Sequence, residues 1–243
     1  MNETFKAVFF DLDGTLYITT PSATDAFVQF ARTLDIAIDA ATEQKVKLWA
    51  HHYWSQHEQI RRDMERLDRD GFWSYYSHLL LRAVGATDNL AENSDILRDY
   101  FFNDYAPHVG LPPTGRETLL ALKAHGLTLG LISNRNNPLQ EAVSRLGLDG
   151  IFDVVLSAGE IGHWKPNPAI FHHVLADFAD LAPAECVYVG DNYYADGHGA
   201  AAAGLVPVLY DPEHLYRDPA YKCIAQMDEL LAFLNIPQPS QAP

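Results

Sequence analysis

The fold of this protein is decided by a stretch near its N-terminus, Lys6-Ala7-Val8-Phe9-Phe10-Asp11-Leu12-Asp13-Gly14-Thr15-Leu16. The unbroken apolar run from Ala7 to Phe10 predicts a strand that is buried on both faces of a parallel sheet. Two acids, Asp11 and Asp13, follow at once, and open α/β sheets bind ligands at the carboxyl ends of their strands. An ordinary acidic turn would give the same pattern, because Asp and Gly are common turn residues.

Length and composition favour a packed globular protein that acts on a small molecule. The 243 residues suffice for one α/β core with an insertion or for two modest domains, and 48% of them are hydrophobic. The formal net charge of -15 argues against a nucleic-acid surface, which requires clustered Lys and Arg. The same charge means that a small anionic substrate needs a metal ion or a well-placed cation.

The signals for cellular compartment are few. Cys186 and Cys223 are too few for a disulfide framework and are expected to be reduced thiols. The N-terminus shows no apolar signal core, and no stretch has the length that spans a membrane. We therefore expect a cytoplasmic protein without a membrane partner.

Residues 17–107 predict a small all-helical module inserted directly after the first strand. Apolar side chains recur there at helical spacing, and no strand pattern interrupts them. We expect a bundle of four helices with an aromatic core: one beginning at Pro21-Ser22, one from Thr42 to Ile60, one after Gly71, and one capped by Asn93 or Ser94. An insertion at the carboxyl end of a strand has the position of a lid over the ligand-binding face.

From residue 108 onward, strand and helix patterns alternate, which predicts a doubly wound, Rossmann-like parallel sheet of the α/β class. The four strands predicted after the first are Leu127–Ile132, Val154–Leu156, Cys186–Val189 and Val206–Tyr210. Helix starts are predicted at the capping box Thr114-Gly115-Arg116-Glu117, at Asn137-Pro138 and at Asn167-Pro168. The core is expected to comprise residues 1–16 and 108–236, followed by a disordered tail at 237–243.

Polar residues follow several of these strands, and a parallel topology collects them at one edge of the sheet. They are Asp11, Asp13, Ser133, Asn134, Lys165, Asp191 and Asp196. Each has an ordinary alternative, such as a strand-end turn for Ser133-Asn134, a solvated loop cation for Lys165 or a helix N-cap for Asp196. Their coincidence at one edge favours a functional site.

This set of side chains is suited to the transfer of a phosphoryl group. Asp11 and Asp191 supply the hard oxygen ligands that Mg2+ prefers, and the ion would neutralise the charge of a phosphate. One acid of the first pair can attack phosphorus to form an aspartyl-phosphate, while the other moves protons. Ser133 and backbone N–H groups near Gly14 can donate to phosphoryl oxygens, and Lys165 can balance their charge.

These motifs resemble those of the haloacid-dehalogenase superfamily of hydrolases over nearly the whole chain. The matching segments are Asp11-Leu12-Asp13-Gly14-Thr15-Leu16, Ser133, Lys165-Pro166-Asn167-Pro168 and Gly190-Asp191-Asn192-Tyr193-Tyr194-Ala195-Asp196, and the helical insertion matches the family's first-type cap. The resemblance implies that Asp11 is the nucleophile and that Asp13 is the acid/base, with its backbone carbonyl on Mg2+. It assigns the remaining residues to phosphate binding (Ser133, Asn134, Gly14, Lys165), to the metal (Asp191) and to a supporting role (Asp196).

Asp13 separates branches of that family, because dehalogenases resemble this chain but lack an acid at this position. Its presence implies a Mg2+-dependent phosphatase of a small phosphorylated metabolite, as a monomer or a homodimer. Three alternatives stay open: a phosphomutase of the β-phosphoglucomutase type, a 2-haloacid dehalogenase, and a non-catalytic binding protein on this fold. In the helical module, Arg61 and Arg62 are the best candidates for binding a second anionic group, although a solvated face shared with Glu58 and Glu65 is favoured.

Overall fold

The structure, a computed structural model, describes residues 5–238 and divides into two compact units. The first, here called the core unit, comprises residues 5–18 and 109–238, and the second, the helical module, comprises residues 19–108. Residues 239–243 of the expected disordered tail lie outside the described residues. No helix within residues 5–238 is both long and apolar enough to cross a membrane.

The elements are numbered along the chain. The strands of the described residues are β1 Ala7–Phe10, β2 Ile18–Thr20, β3 His108–Gly110, β4 Thr128–Ser133, β5 Val154–Ser157, β6 Cys186–Gly190, β7 Val206–Tyr210 and β8 Lys222–Ile224. The helices are α1 Ala23–Thr33, α2 Ala40–Trp54, α3 His57–Arg66, α4 Arg69–Ala83, α5 Leu90–Asn103, α6 Gly115–Ala124, α7 Gln140–Arg145, α8 Ala158–Ile161, α9 Ala169–Leu175, α10 His198–Ala202 and α11 Glu229–Phe233. A 3-10 helix at Pro183–Glu185 precedes β6, and a π-helical turn at Tyr193–Gly197 precedes α10.

The core unit is built on a parallel sheet of six strands, as far as residues 5–238 describe it, in the order β5-β4-β1-β6-β7-β8. The first strand of the chain therefore lies in the middle, between β4 and β6. The chain winds outward from β1 on both sides, and open α/β sheets bind ligands at the point where the winding reverses. The predicted doubly wound, Rossmann-like α/β core is confirmed.

The central strand explains why the opening stretch is apolar on both sides. Ala7 and Phe9 pack into one hydrophobic cluster, whereas Val8 and Phe10 pack into another on the opposite face, and all four side chains are fully buried. The helices α6, α7 and α11 cover the face of Val8 and Phe10, and α9 and α10 cover the other face. Both faces of the sheet are thus removed from water, as the continuous apolar run predicts.

Three expectations about the core unit are wrong. The sheet has a sixth strand, β8, whose three residues are too few to show a strand pattern and are defined by their pairing with β7. The capping box at Thr114 does not form, because Thr114 has a φ of 58° and its hydroxyl accepts a hydrogen bond from the N–H of Asp228. In addition, α7 begins at Gln140 and not at Asn137-Pro138.

The helical module has five helices among its described residues, where four were expected. The helix expected from Thr42 to Ile60 is interrupted at Ser55 and Gln56, where the Ser55 hydroxyl donates to the carbonyl of His52, so that α2 and α3 are separate. The short strand β2 was not expected either, because no strand pattern marks it.

Side-chain caps begin α1, α2 and α4 of this module but not α3 and α5, and only some of the helix starts were predicted. Ser22 caps α1 as expected, by accepting a hydrogen bond from the N–H of Asp25. Asn93 and Ser94 do not cap α5, which begins at Leu90. Helix α4 begins at Arg69, two residues before Gly71.

The polar surface and the aromatic interior of the module agree with the favoured interpretations. The guanidinium of Arg61 pairs with Glu65 at 2.5 Å and with Glu58 at 3.3 Å on the exposed face of α3. Tyr53 and Phe72 are buried in an aromatic cluster that includes Trp54. Arg61 is therefore part of a solvated, charge-paired surface.

The packing of β4 against β1 predicts that no larger side chain is tolerated at Gly130. A methyl group there would overlap the ring of Phe9 and the side chain of Val154, both of which flank Gly130 in the sheet. Overpacking of this kind costs about 1–3 kcal/mol, so Gly130→Ala should lower the free energy of unfolding by that amount in urea denaturation. The isosteric change Thr128→Val on the same strand should change it by less than about 0.5 kcal/mol. Equal stability of the two variants would contradict this packing.

Candidate active site

Asp11 lies at the carboxyl end of β1, where its backbone N–H donates to the carbonyl of Val189 in the neighbouring strand β6. The chain turns directly afterwards at Gly14, whose φ of 82° is a left-handed conformation that favours glycine. A side chain at Gly14 would also overlap the carboxylate of Asp191. Glycine is therefore required at position 14 for two reasons: the left-handed turn, and the space that the carboxylate of Asp191 occupies.

A buried ammonium group organises the site. Nζ of Lys165 lies 2.5 Å from Oδ1 of Asp11, 2.7 Å from Oδ1 of Asp196 and 2.8 Å from the hydroxyl of Tyr188. Lys165 and Asp196 are each 2% exposed, and Tyr188 in turn donates to the carbonyl of Ile132. A buried charge requires such partners. The loop that carries Lys165 is thereby fixed to the ends of the central strands.

Burial and mutual repulsion dominate the electrostatics of the acids. Burial raises the pKa of Asp11 to about 7, against the opposing effect of Lys165 and with a further increase from Asp196. Burial, together with Asp196 and Asp11, also holds the pKa of Asp191 well above its ordinary range. Burial alone would lower the pKa of Lys165, but Asp11 and Asp196 outweigh it and hold that pKa well above the ordinary value. Lys165 is therefore a permanent cation.

Three carboxylates of the site are close enough to share a cation. Oxygens of Asp11, Asp191 and Asp196 all lie within 4.8 Å of one another. This is a set of hard oxygen donors, which suits a divalent ion that prefers carboxylate ligands. Asp196 has the least freedom to bind the ion directly, because its Oδ1 accepts from Lys165 and its Oδ2 accepts from the N–H of Asn192.

The residues expected to bind phosphate are placed differently from one another. Ser133 ends β4 and is 1% exposed. Asn134 uses both atoms of its amide on Lys165, donating to the backbone carbonyl at 2.9 Å and accepting from the backbone N–H at 2.7 Å. The N–H of Gly14 donates to the carbonyl of Tyr17. Asn134 thus fixes the Lys165 loop, and phosphate binding by Ser133, Asn134 and Gly14 stays a prediction.

Asp13 lies apart from the buried acids and is half exposed. Both of its carboxylate oxygens accept hydrogen bonds from the guanidinium of Arg135. Sequence reasoning missed Arg135, although its place directly after Ser133 and Asn134 was a signal. Tyr188 was missed because a buried tyrosine in a strand is ordinary core.

The loop that carries Asp191 is fixed by residues of a later loop. The hydroxyl of Tyr216 donates to the backbone carbonyl of Asp191 at 3.1 Å and accepts from the N–H of Tyr193 at 3.0 Å. Asp211 holds Tyr216 in place by accepting from its backbone N–H at 3.1 Å. On the other side of this loop, the side chain of Asn192 accepts from the N–H groups that begin the π-helical turn. Tyr216 was not among the sequence-predicted residues.

Comparison with known proteins identifies the family. A family model described as haloacid dehalogenase-like hydrolase matches residues 5–204. The chain belongs to that family. The expected family is therefore confirmed, and the matched segment contains Asp11, Asp13, Ser133, Lys165, Asp191 and Asp196, whereas Asp211 and Tyr216 lie beyond it.

Curated relatives and a solved structure of another protein are similar to this chain over most of its length. A ribulose-1,5-bisphosphate 5-phosphatase of Halopiger xanaduensis is 32% identical over 85% of this chain and 84% of its own length. A glyceraldehyde 3-phosphate phosphatase of Methanothermobacter thermautotrophicus is 32% identical, over 86% of each chain. The crystal structure of a 2-haloacid dehalogenase from Pseudomonas syringae is similar, with a TM-score of 0.55, 26% identity, and coverage of 96% of this chain and 99% of the other.

The contact between Tyr216 and Asp191 predicts a role in metal affinity. Residues that orient metal ligands change affinity by about 10-fold or more when they are mutated, so Tyr216→Phe should weaken the binding of Mg2+ or Mn2+ about 10-fold in calorimetric titration. Tyr221→Phe is the matched control, because its ring packs in the same aromatic cluster around Tyr193. Unchanged affinity in Tyr216→Phe, or an equal loss in both variants, would contradict this role.

Proposed function

We propose that this hydrolase cleaves small phosphate monoesters with the help of Mg2+, by way of a covalent aspartyl-phosphate on Asp11. The observation that carries the proposal is the cluster of Asp11, Asp191 and Lys165 at the ends of the central strands, in which Asp11 and Lys165 are buried and Asp191 is partly exposed. A carboxylate held against a permanent cation and beside a cation-binding set of oxygens is suited to attack an anionic phosphate. The family and the phosphatase names of two curated relatives support the same reaction.

Each step of the proposed reaction has a residue assigned to it. Oδ1 of Asp11 accepts from Lys165, so we assign the attack on phosphorus to Oδ2. Lys165 and the hydroxyl of Ser133 would stabilise the charge on the phosphoryl oxygens. Mg2+, held by Asp11, Asp191 and the backbone carbonyl of Asp13, would neutralise the phosphate.

Asp13 carries the proton in this proposal. It would give a proton to the leaving alkoxide and then take one from the water that cleaves the aspartyl-phosphate. An alkyl ester needs such an acid, because an alkoxide is a poor leaving group, whereas a halide leaves without one. Asp13 therefore favours a phosphatase over the 2-haloacid dehalogenase to which the fold is similar.

The physiological substrate is assigned only as a class. The curated relatives carry the names of phosphatases that act on small phosphorylated sugars, and we propose a phosphorylated metabolite of similar size. A cytoplasmic location belongs to the same proposal, because such metabolites are found there.

Hydrolysis of a panel of esters tests the proposal directly. The panel comprises sugar phosphates, phosphoglycolate, nucleotides and p-nitrophenyl phosphate, each assayed for inorganic phosphate with Mg2+ or with a chelator. We expect Mg2+-dependent release of phosphate, and none from Asp11→Asn. Isomerised sugar phosphates without free phosphate would indicate a phosphomutase, and release of halide from 2-haloacids would indicate a dehalogenase.

The variant Asp13→Asn provides a matched comparison within the same panel. General acid catalysis contributes about 100-fold to 10,000-fold, and an ester with a good leaving group does not need it. Asp13→Asn should therefore lose far more activity on alkyl phosphates than on p-nitrophenyl phosphate. An equal loss on both kinds of ester would contradict the role assigned to Asp13.

A further inference from the structure

The guanidinium of Arg135 holds the carboxylate of Asp13 at both oxygens. Its Nε donates to Oδ2 at 2.8 Å and its Nη2 donates to Oδ1 at 2.6 Å, across 122 residues of sequence. The guanidinium also lies over the ring of Tyr17, 4.7 Å from the ring centre. The backbone N–H of Arg135 donates to the hydroxyl of Ser133 at 3.3 Å. Arg135 thus connects the proposed acid to the proposed phosphoryl-binding residue.

This pairing conflicts with the role of Asp13 in turnover. A carboxyl group that passes a proton to an ester oxygen must direct one of its own oxygens at that atom, whereas both oxygens of Asp13 accept from Arg135. The pair is accessible to water, with the Arg135 side chain 33% exposed and that of Asp13 51% exposed. Exposed ion pairs contribute little to stability. Arg135 can therefore leave Asp13 without disturbing the fold.

The two cations among the site residues named above differ in what they can bind. Lys165 is buried and already donates to Asp11 and Asp196. Arg135 carries a planar fork that matches a carboxylate or a phosphate as well as it matches Asp13. In a chain with a formal net charge of -15, an additional anion on the substrate requires a cation of this kind.

We propose that Arg135 leaves Asp13 to bind a second anionic group on the alcohol part of the substrate, either a carboxylate or a second phosphate. The substrate would then free the acid that its own leaving group needs. This inference rests on the proposed phosphatase reaction. Once Arg135 has left, the Asp13 carboxylate takes up a proton from solvent, gives it to the leaving oxygen and then takes one from the attacking water. That last proton returns to solvent when Arg135 pairs with Asp13 again. The preferred substrate class is accordingly a phosphate monoester that carries another anion.

Matched pairs of esters test this preference in the full-length protein with Mg2+. The first pair is 3-phosphoglycerate and glycerol 3-phosphate, and the second is phosphoglycolate and 2-hydroxyethyl phosphate; the members of each pair differ in one carboxylate. The ratio of kcat/KM within each pair is compared among the wild type, Arg135→Gln and the control Arg145→Gln. Arg145 is exposed on α7, so Arg145→Gln removes the same charge as Arg135→Gln at a position on the surface.

The wild type and Arg145→Gln should prefer the anionic member of each pair. A hydrogen-bonded charge pair of this kind accounts for about 10-fold to 100-fold in kcat/KM, and Arg135→Gln should bring the ratio close to one. A ratio near one in the wild type, or a preference that survives in Arg135→Gln, would overturn the proposal. An equal loss on all four esters would also overturn it, because Arg135 would then act only by positioning Asp13.

Binding to a non-reacting background separates this inference from the phosphatase function. Calorimetry on Asp11→Asn measures the affinity for both members of each pair, with and without Arg135→Gln. Preferential binding that depends on Arg135 would support the inference even if no ester were hydrolysed, and that absence of hydrolysis would refute the phosphatase function alone. Absence of preferential binding would refute the inference, whatever the activity.

Discussion

The ammonium group of Lys165 lies between two buried carboxylates, Asp11 at 2.5 Å and Asp196 at 2.7 Å, and the rest of the site is arranged around this interaction. Without the cation, the carboxylates of Asp11, Asp191 and Asp196, which lie within 4.8 Å of one another, would repel one another with no compensating charge. Removing one partner of such a buried pair costs about 3–5 kcal/mol, because the remaining charge is left uncompensated. In the proposed reaction, the same cation would also balance the charge of the phosphoryl group.

The topology of the sheet makes this cluster possible. Asp11 and Asp191 follow β1 and β6, which are paired neighbours at the centre of the sheet. Lys165 comes from the segment between β5 and β6, and Asn134, at the end of β4, fixes it through two hydrogen bonds to its backbone. Residues that are 154 positions apart in the chain thereby meet within hydrogen-bonding distance. The glycine at position 14 completes the arrangement by leaving room for Asp191.

Sequence patterns predicted those parts of the structure that depend on the order of the strands. Asp11, Lys165, Asp191 and Asp196 could be predicted because each follows a strand, and parallel strands place their carboxyl ends together. Contacts that depend on the direction of a side chain could not be predicted, such as the pairing of Arg135 with Asp13. Two further features also could not be predicted. The strand β8 has only three residues and no periodicity. The helix expected to run from Thr42 to Ile60 ends at Trp54 and a second helix begins at His57.

The central claim is that the carboxylate of Asp11 attacks phosphorus. The most direct test of this claim is to trap the covalent aspartyl-phosphate. The protein is mixed with Mg2+ and an ester that it hydrolyses, quenched in acid within the first turnovers, and digested for mass spectrometry. We predict the mass increment of one phosphoryl group on the peptide that contains Asp11, and its absence from Asp11→Asn. Turnover without this modification, or a phosphoryl group on a different residue, would contradict the account.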